Sequence, residues 1–111
     1  MEKGKSVICV FFDLSKAFDS LPHDLIIESL VRVGVNGALL KWFCNYLSNR
    51  RQSVVLQGTS SPPVNVTSGV PQGSILGPLL FILALNPLTN LPITNSSTIR
   101  IYADDIVYYK P

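Results

Sequence analysis

Residues 97–109 are the part of this sequence that leaves the chain the fewest choices. Two runs rich in Ile, Val and Tyr flank Tyr102, Ala103, Asp104 and Asp105. That pattern predicts a β-hairpin with Asp104 and Asp105 at its turn, both side chains free to reach solvent or an ion. Asp is also simply a good turn residue, so the pair alone carries little chemistry. Asp13 adds to it. It closes a second apolar run, residues 7–12, so a strand end distant in sequence is placed to bring a third carboxylate beside the first two. Three such oxygens suit a hard divalent cation, Mg²⁺ in particular, held by a few carboxylates together with substrate phosphates. The arrangement points to phosphoryl chemistry.

Composition narrows the rest. At 111 residues the chain is one domain at most, with a single core near the small end for independent stability. Nine Lys and Arg against seven Asp and Glu give a net charge of +2, too weak an excess to argue for nucleic-acid binding by itself. The longest apolar run, residues 75–85, is broken by Gly77 and Pro78 and is too short to cross a bilayer, so it reads as buried core and no membrane partner is expected. The N-terminus lacks a secretory pattern, which predicts an intracellular chain. No basic localisation run chooses between nucleus and cytoplasm. Cys9 and Cys44 have neither close spacing nor His partners, and read as small buried hydrophobes in a reducing compartment.

Taken in order, residues 6–12 are nearly all apolar and predict a central strand covered on both faces, with Asp13 at its end. A helix is expected over 24–33, with Pro22 and Asp24 suited to its start, Gly34 to its end, and Glu28 with Arg32 as an i,i+4 pair. Asp19 reads as a cap or local backbone partner, with a direct catalytic role as the alternative. His23, the only His, lacks a positioned Ser or Cys and reads as a surface or capping residue. A second helix is expected over 36–48, its apolar face formed by Leu39, Leu40, Phe43, Tyr46 and Leu47. Arg50 and Arg51 either touch phosphates or form a solvated pair complementing the helix dipole. Residues 51–67 then read as a second hairpin with a polar tip.

The sequence Ser68, Gly69, Val70, Pro71, Gln72, Gly73, Ser74 precedes an apolar helix expected to start near Ser74. Its glycines and proline set up a backbone that a flat substrate group can approach closely, although such a loop is also an ordinary connection. It has the spacing of neither a P-loop nor a dinucleotide fingerprint. Residues 86–97 end the helix and cross to the carboxylate hairpin.

Together, Phe11-Phe12-Asp13 with Ala17-Phe18-Asp19, then Ser68 to Ser74 with Gly77-Pro78, then Tyr102-Ala103-Asp104-Asp105 resemble the palm of a reverse transcriptase. The resemblance is to the non-LTR, LINE-type retrotransposon group and covers nearly the whole chain. It implies an α+β polymerase palm, an antiparallel sheet with helices packed on one face and the 51–67 hairpin at the side. It also implies RNA-directed DNA synthesis with two Mg²⁺ ions, Mn²⁺ being able to replace them. Asp13 and Asp104 would hold the ions and Asp105 would support them. Phe18 would lie beneath the sugar and exclude a ribose 2′-hydroxyl. Gln72 and Gly73 would line the nucleotide and template pocket, and Tyr102 would lie near the primer end.

The partners implied are an RNA template, a DNA primer and a deoxynucleoside triphosphate. On the same resemblance residues 1–111 are a partial reverse transcriptase domain, a palm core without fingers or thumb, for which weak nucleic-acid binding and no useful synthesis are expected. Two other classes stand beside this reading. One is an inactive remnant or non-enzymatic interaction fragment that keeps the palm fold. The other is a receiver-type phosphotransfer domain, which would want repeated βα alternation and a Lys after a late strand; Lys110 following an Asp-Asp hairpin does not fit that order.

Overall fold

The computed structural model describes residues 6–91 and 97–110. It opens with strand β1 (Ile8–Asp13), a one-turn helix α1 (Ala17–Ser20), and helices α2 (His23–Arg32) and α3 (Gly37–Leu47). Helix α2 starts directly after Pro22, whose fixed φ and missing N–H suit that position. It stops at a two-bond C-terminal motif. Gly34, at φ +95°, donates its N–H to the Val31 carbonyl, and Val35 donates to that of Leu30. The expected Glu28–Arg32 pair is present at 2.9 Å.

Four two-residue strands follow, β2 (Arg51–Gln52), β3 (Val55–Leu56), β4 (Thr59–Ser60) and β5 (Val64–Asn65). They pair antiparallel as two nested ladders, β2 with β5 and β3 with β4. Helix α4 (Leu76–Leu85) comes next and runs into a 3₁₀ helix (Asn86–Asn90). Ser74 fixes the start of α4: its Oγ accepts the Gly77 N–H at 3.0 Å and donates to the Pro71 carbonyl at 2.6 Å. Pro78 in the first turn costs nothing, because its N–H would have been unpaired there. Part of the expected crossing over 86–97 lies outside the described residues. The chain closes with β6 (Thr98–Tyr102) and β7 (Asp105–Lys110).

The core is helical. Ile26 and Leu30 of α2, Phe43 and Leu47 of α3, and Leu80, Phe81, Ala84 and Leu85 of α4 are buried together, with Ala17, Leu21 and Val70 completing the cluster. α2 lies between α3 and α4 and contacts both. The sheet has the order β1-β7-β6, all antiparallel, with β7 in the centre. The sheets are wholly antiparallel and the described helices pack chiefly on one another, so the fold is α+β.

Two expectations are corrected. β1 is an edge strand exposed along its whole length, with Phe11 74% exposed, and not a central strand covered on both faces. A continuous apolar run is buried on both sides only where layers exist to cover it. Here the described helices bury their apolar surface on one another and meet the sheet mainly at β6, through the 3₁₀ helix and Ile101. The molecule is correspondingly flat, 61 × 42 × 19 Å, with a radius of gyration of 18.3 Å. A compact chain of this length would have about 13 Å. Cys9 and Cys44 are both exposed, Cys9 because it belongs to that uncovered strand.

Candidate active site

The hairpin register pairs Tyr102 with Asp105, so the two-residue loop is Ala103 and Asp104. Asp105 therefore begins the return strand and is not a turn residue, one position away from expectation. Ala103 takes φ +53°, as the first central position of a tight hairpin loop demands. On the other side of β7, Asp13 stands directly opposite Asp105. Directly opposed residues project from the same face of a sheet. Tyr102, Asp105 and Asp13 thus form one row across the three strands, with Asp104 adjoining it in the turn. Tyr102 is 84% exposed.

None of the three carboxylates makes a side-chain hydrogen bond or ion pair with a described residue. Among the described residues, no group of three His, Cys, Asp or Glu side chains is gathered closely enough to hold one ion. The donor set is therefore two facing carboxylates with a third beside them. Like charges directly opposite one another destabilise a strand pair. Asp105→Asn is accordingly expected to stabilise the fold by a few tenths of a kcal/mol at low salt, less after screening. Urea midpoints in low and high NaCl check this.

Phe18, half-buried on α1, stacks on Phe81 of α4 with ring centroids 4.3 Å apart and planes tilted by 33°. Both rings line a cavity of about 710 Å³ that runs to Tyr102 and Ala103 of the hairpin. The structure therefore brings Phe18 and Tyr102 to one cavity. Gln72 lies elsewhere, on a polar groove with Lys16 and Asp19. Gly73 is exposed beside it, at φ +75°.

Gln72 is not free. Its Nε2 donates to Asp19 Oδ1 at 2.7 Å. The whole loop is clasped onto the segment after β1. Ser68 Oγ donates to the Asp19 carbonyl at 2.9 Å, Gly69 N–H to Leu21 and Val70 N–H to Phe18, each at 2.7 Å. His23 Nε2 donates to the Gly69 carbonyl at 2.9 Å. Gly69 sits so close that a Cβ on it would lie 2.7 Å from Asp19 Cα and from the carbonyl oxygens of Phe18 and Asp19. Asp19 and His23, read from sequence as capping residues, are the fastenings between the Phe18 segment and the Gln72 loop. Their partners are 46 to 53 residues away, so no local pattern announces them.

Over residues 1–111 the chain matches the family described as reverse transcriptase (RNA-dependent DNA polymerase). It is 36% identical over 102 residues to the probable RNA-directed DNA polymerase from transposon X-element of Drosophila melanogaster, a match covering 87% of this chain and 11% of that protein. It is similar, at 31% over 110 residues, to the RNA-directed DNA polymerase from mobile element jockey of the same organism, covering 95% of the chain and 12% of the relative. A third similarity, 28% over 86 residues, is to the retrovirus-related Pol polyprotein from type-1 retrotransposable element R2 of Popillia japonica, covering 78% and 14%. The chain spans about an eighth of the length of these relatives.

Proposed function

Because the chain belongs to the reverse transcriptase family, within its LINE-type retrotransposon group, we propose that it is the palm segment of an RNA-directed DNA polymerase. In this reading it joins deoxynucleotides to a primer 3′-hydroxyl on an RNA template. The observation that carries the reading is the direct opposition of Asp13 and Asp105, with Asp104 next to them, at one end of an antiparallel sheet. An all-oxygen set of two facing carboxylates suits Mg²⁺, which takes one or two carboxylates and completes its shell with water and substrate phosphates.

Asp13 and Asp104 are the residues assigned to hold two such ions, with Asp105 supporting them. Metal held there by Asp13 and Asp104 would supply Lewis-acid activation of the attacking hydroxyl and charge stabilisation for the leaving pyrophosphate. Phe18, backed by Phe81 at the cavity wall, is assigned to stand beneath the sugar and reject a 2′-hydroxyl by steric exclusion. Tyr102 is assigned to the primer end of the same cavity, and Gln72 with Gly73 to the nucleotide and template pocket.

A second reading, a non-enzymatic interaction fragment that keeps the fold, is favoured by the exposed apolar face of β1. Calorimetry separates the two. Mn²⁺ and a deoxynucleoside triphosphate are titrated into the chain and into Asp13→Asn and Asp104→Asn, with folding checked by circular dichroism. Metal binding that needs the triphosphate and disappears in both variants is the expected result. Equal heats from all three folded proteins would overturn the metal assignment and leave the interaction reading.

A further inference from the structure

Three of the chain's nine basic residues, Lys16, Arg50 and Arg51, line one groove of about 750 Å³ beside Gln72. Both arginines are already fixed in place. Arg50 Nε donates to the Tyr46 carbonyl at 2.7 Å, and its guanidinium lies 4.6 Å from the centroid of the Tyr46 ring. That ring is itself stacked on Trp42, with centroids 5.2 Å apart. Arg51 Nε donates to Asn65 Oδ1 at 3.1 Å, across the β2–β5 pair that sets the two residues opposite each other. In each case the hydrogen bond consumes only Nε. The two terminal nitrogens of each guanidinium have no partner among the described residues.

Among the described residues no carboxylate is paired with these cations. Asp19 is the one acid lining the groove; its Oδ1 accepts from Gln72 and it keeps its charge, so the three cations outnumber it. Arg32, by contrast, is paired with Glu28. A second hollow of about 500 Å³ is lined by the same two arginines, Asn49 and Asn65, and extends the groove past them. A guanidinium held by Nε presents its two remaining nitrogens in the geometry that suits phosphate oxygens.

We propose that this groove is a phosphate-binding site in which Arg50 and Arg51 are the ligands and Lys16 adds charge, and that its occupant is the backbone of a nucleic-acid strand. It rests on the function proposed above only in taking the phosphates from nucleic acid, and it needs neither Asp13 nor a bound metal. Consecutive arginines facing two connected hollows suit successive phosphates of a strand better than one compact anion. The proposal also gives the weak overall charge excess a location.

The test is fluorescence anisotropy of a short labelled oligouridylate with the 111-residue chain, in EDTA and across a salt series. Arg50→Gln/Arg51→Gln is expected to weaken binding about tenfold at low salt and to flatten the log K against log salt slope by about 1.4, the share of two phosphate contacts on a single strand. Arg51→Gln alone, at an exposed position, is expected to flatten it by about 0.7. Lys41→Gln, a cation of α3 outside the groove, serves as the charge control and should behave as wild type. Unchanged affinity and slope in folded Arg51→Gln, or an equal loss in Lys41→Gln, would overturn the site. Tripolyphosphate is added as competitor. Displacement only at large excess assigns the groove to a strand; displacement at equivalence shows the same arginines taking a triphosphate instead, which overturns the strand as occupant. Because EDTA is present throughout, loss of the metal assignment leaves this result standing.

Discussion

Gly69→Ala is expected to cost about 2–5 kcal/mol, the sum of a left-handed backbone forced on a residue with a Cβ and a steric clash that has no easy relief. Gly69 has φ +87°, and the added carbon would lie 2.7 Å from three backbone atoms of Phe18 and Asp19. Backbone cannot swing aside as a flexible side chain does. Relief requires the loop to lift, and lifting stretches the bonds from Gly69 to Leu21, from Val70 to Phe18 and from His23 to the Gly69 carbonyl. A loss of that size removes much of the stability of a small domain. Gly34→Ala is the control. Its φ is +95°, yet nothing lies within 4 Å of the added carbon, so only the backbone term remains, about 1 kcal/mol. Urea unfolding of both variants decides the point, and equal midpoint shifts would mean that the clasp around Gly69 is not closed in solution.

Phe81→Ala is expected to cost about 3–5 kcal/mol, the usual range for emptying a buried aromatic position. Phe81 is 1% exposed at the centre of the helical cluster and supports the ring of Phe18. Its removal also enlarges the cavity shared with Tyr102, so the Phe18 ring loses the wall that fixes it. Phe11→Ala makes the comparison sharp. Phe11 belongs to a run that looks more like core by sequence, but it is 74% exposed on the edge strand, and its truncation should cost less than about 0.5 kcal/mol. A larger loss at Phe11 than at Phe81 would show that the sheet, and not the helical cluster, carries the stability.

How much of this was readable from the sequence follows from how local each signal is. α2 and α3 were legible to within a residue or so because apolar spacing, Pro22 and Gly34 act within a few positions. The hairpin was legible in kind, while its loop moved by one residue because Ala103 accepts a positive φ that its side chain does not advertise. The opposition of Asp13 to the hairpin followed from both lying at strand ends. The burial of β1 did not follow. An apolar run states that a strand is able to be covered, and says nothing of whether a layer is there to cover it. The fastenings of Asp19 to Gln72 and His23 to Gly69 were illegible for a different reason. A polar pair separated by some fifty residues leaves no periodicity, and each partner alone looks like a cap. Of the groove's two arginines only Arg51 belongs to the same class, oriented by Asn65 across two short strands, whereas Arg50 is held by Tyr46 one helical turn before it.

The central place of β7 sets an order on how the site comes into being. Its pairing with β6 closes a two-residue loop and belongs to the microsecond events of a folding chain. Its pairing with β1 joins the two ends of nearly the whole chain, a contact that must wait until the entropy of the long intervening loop has been offset by the helices between. Asp104 and Asp105 are therefore brought together by local pairing, and Asp13 joins them only through the longest-range pairing of the sheet. The facing carboxylates thus depend on the pairing that carries the larger loop-closure cost.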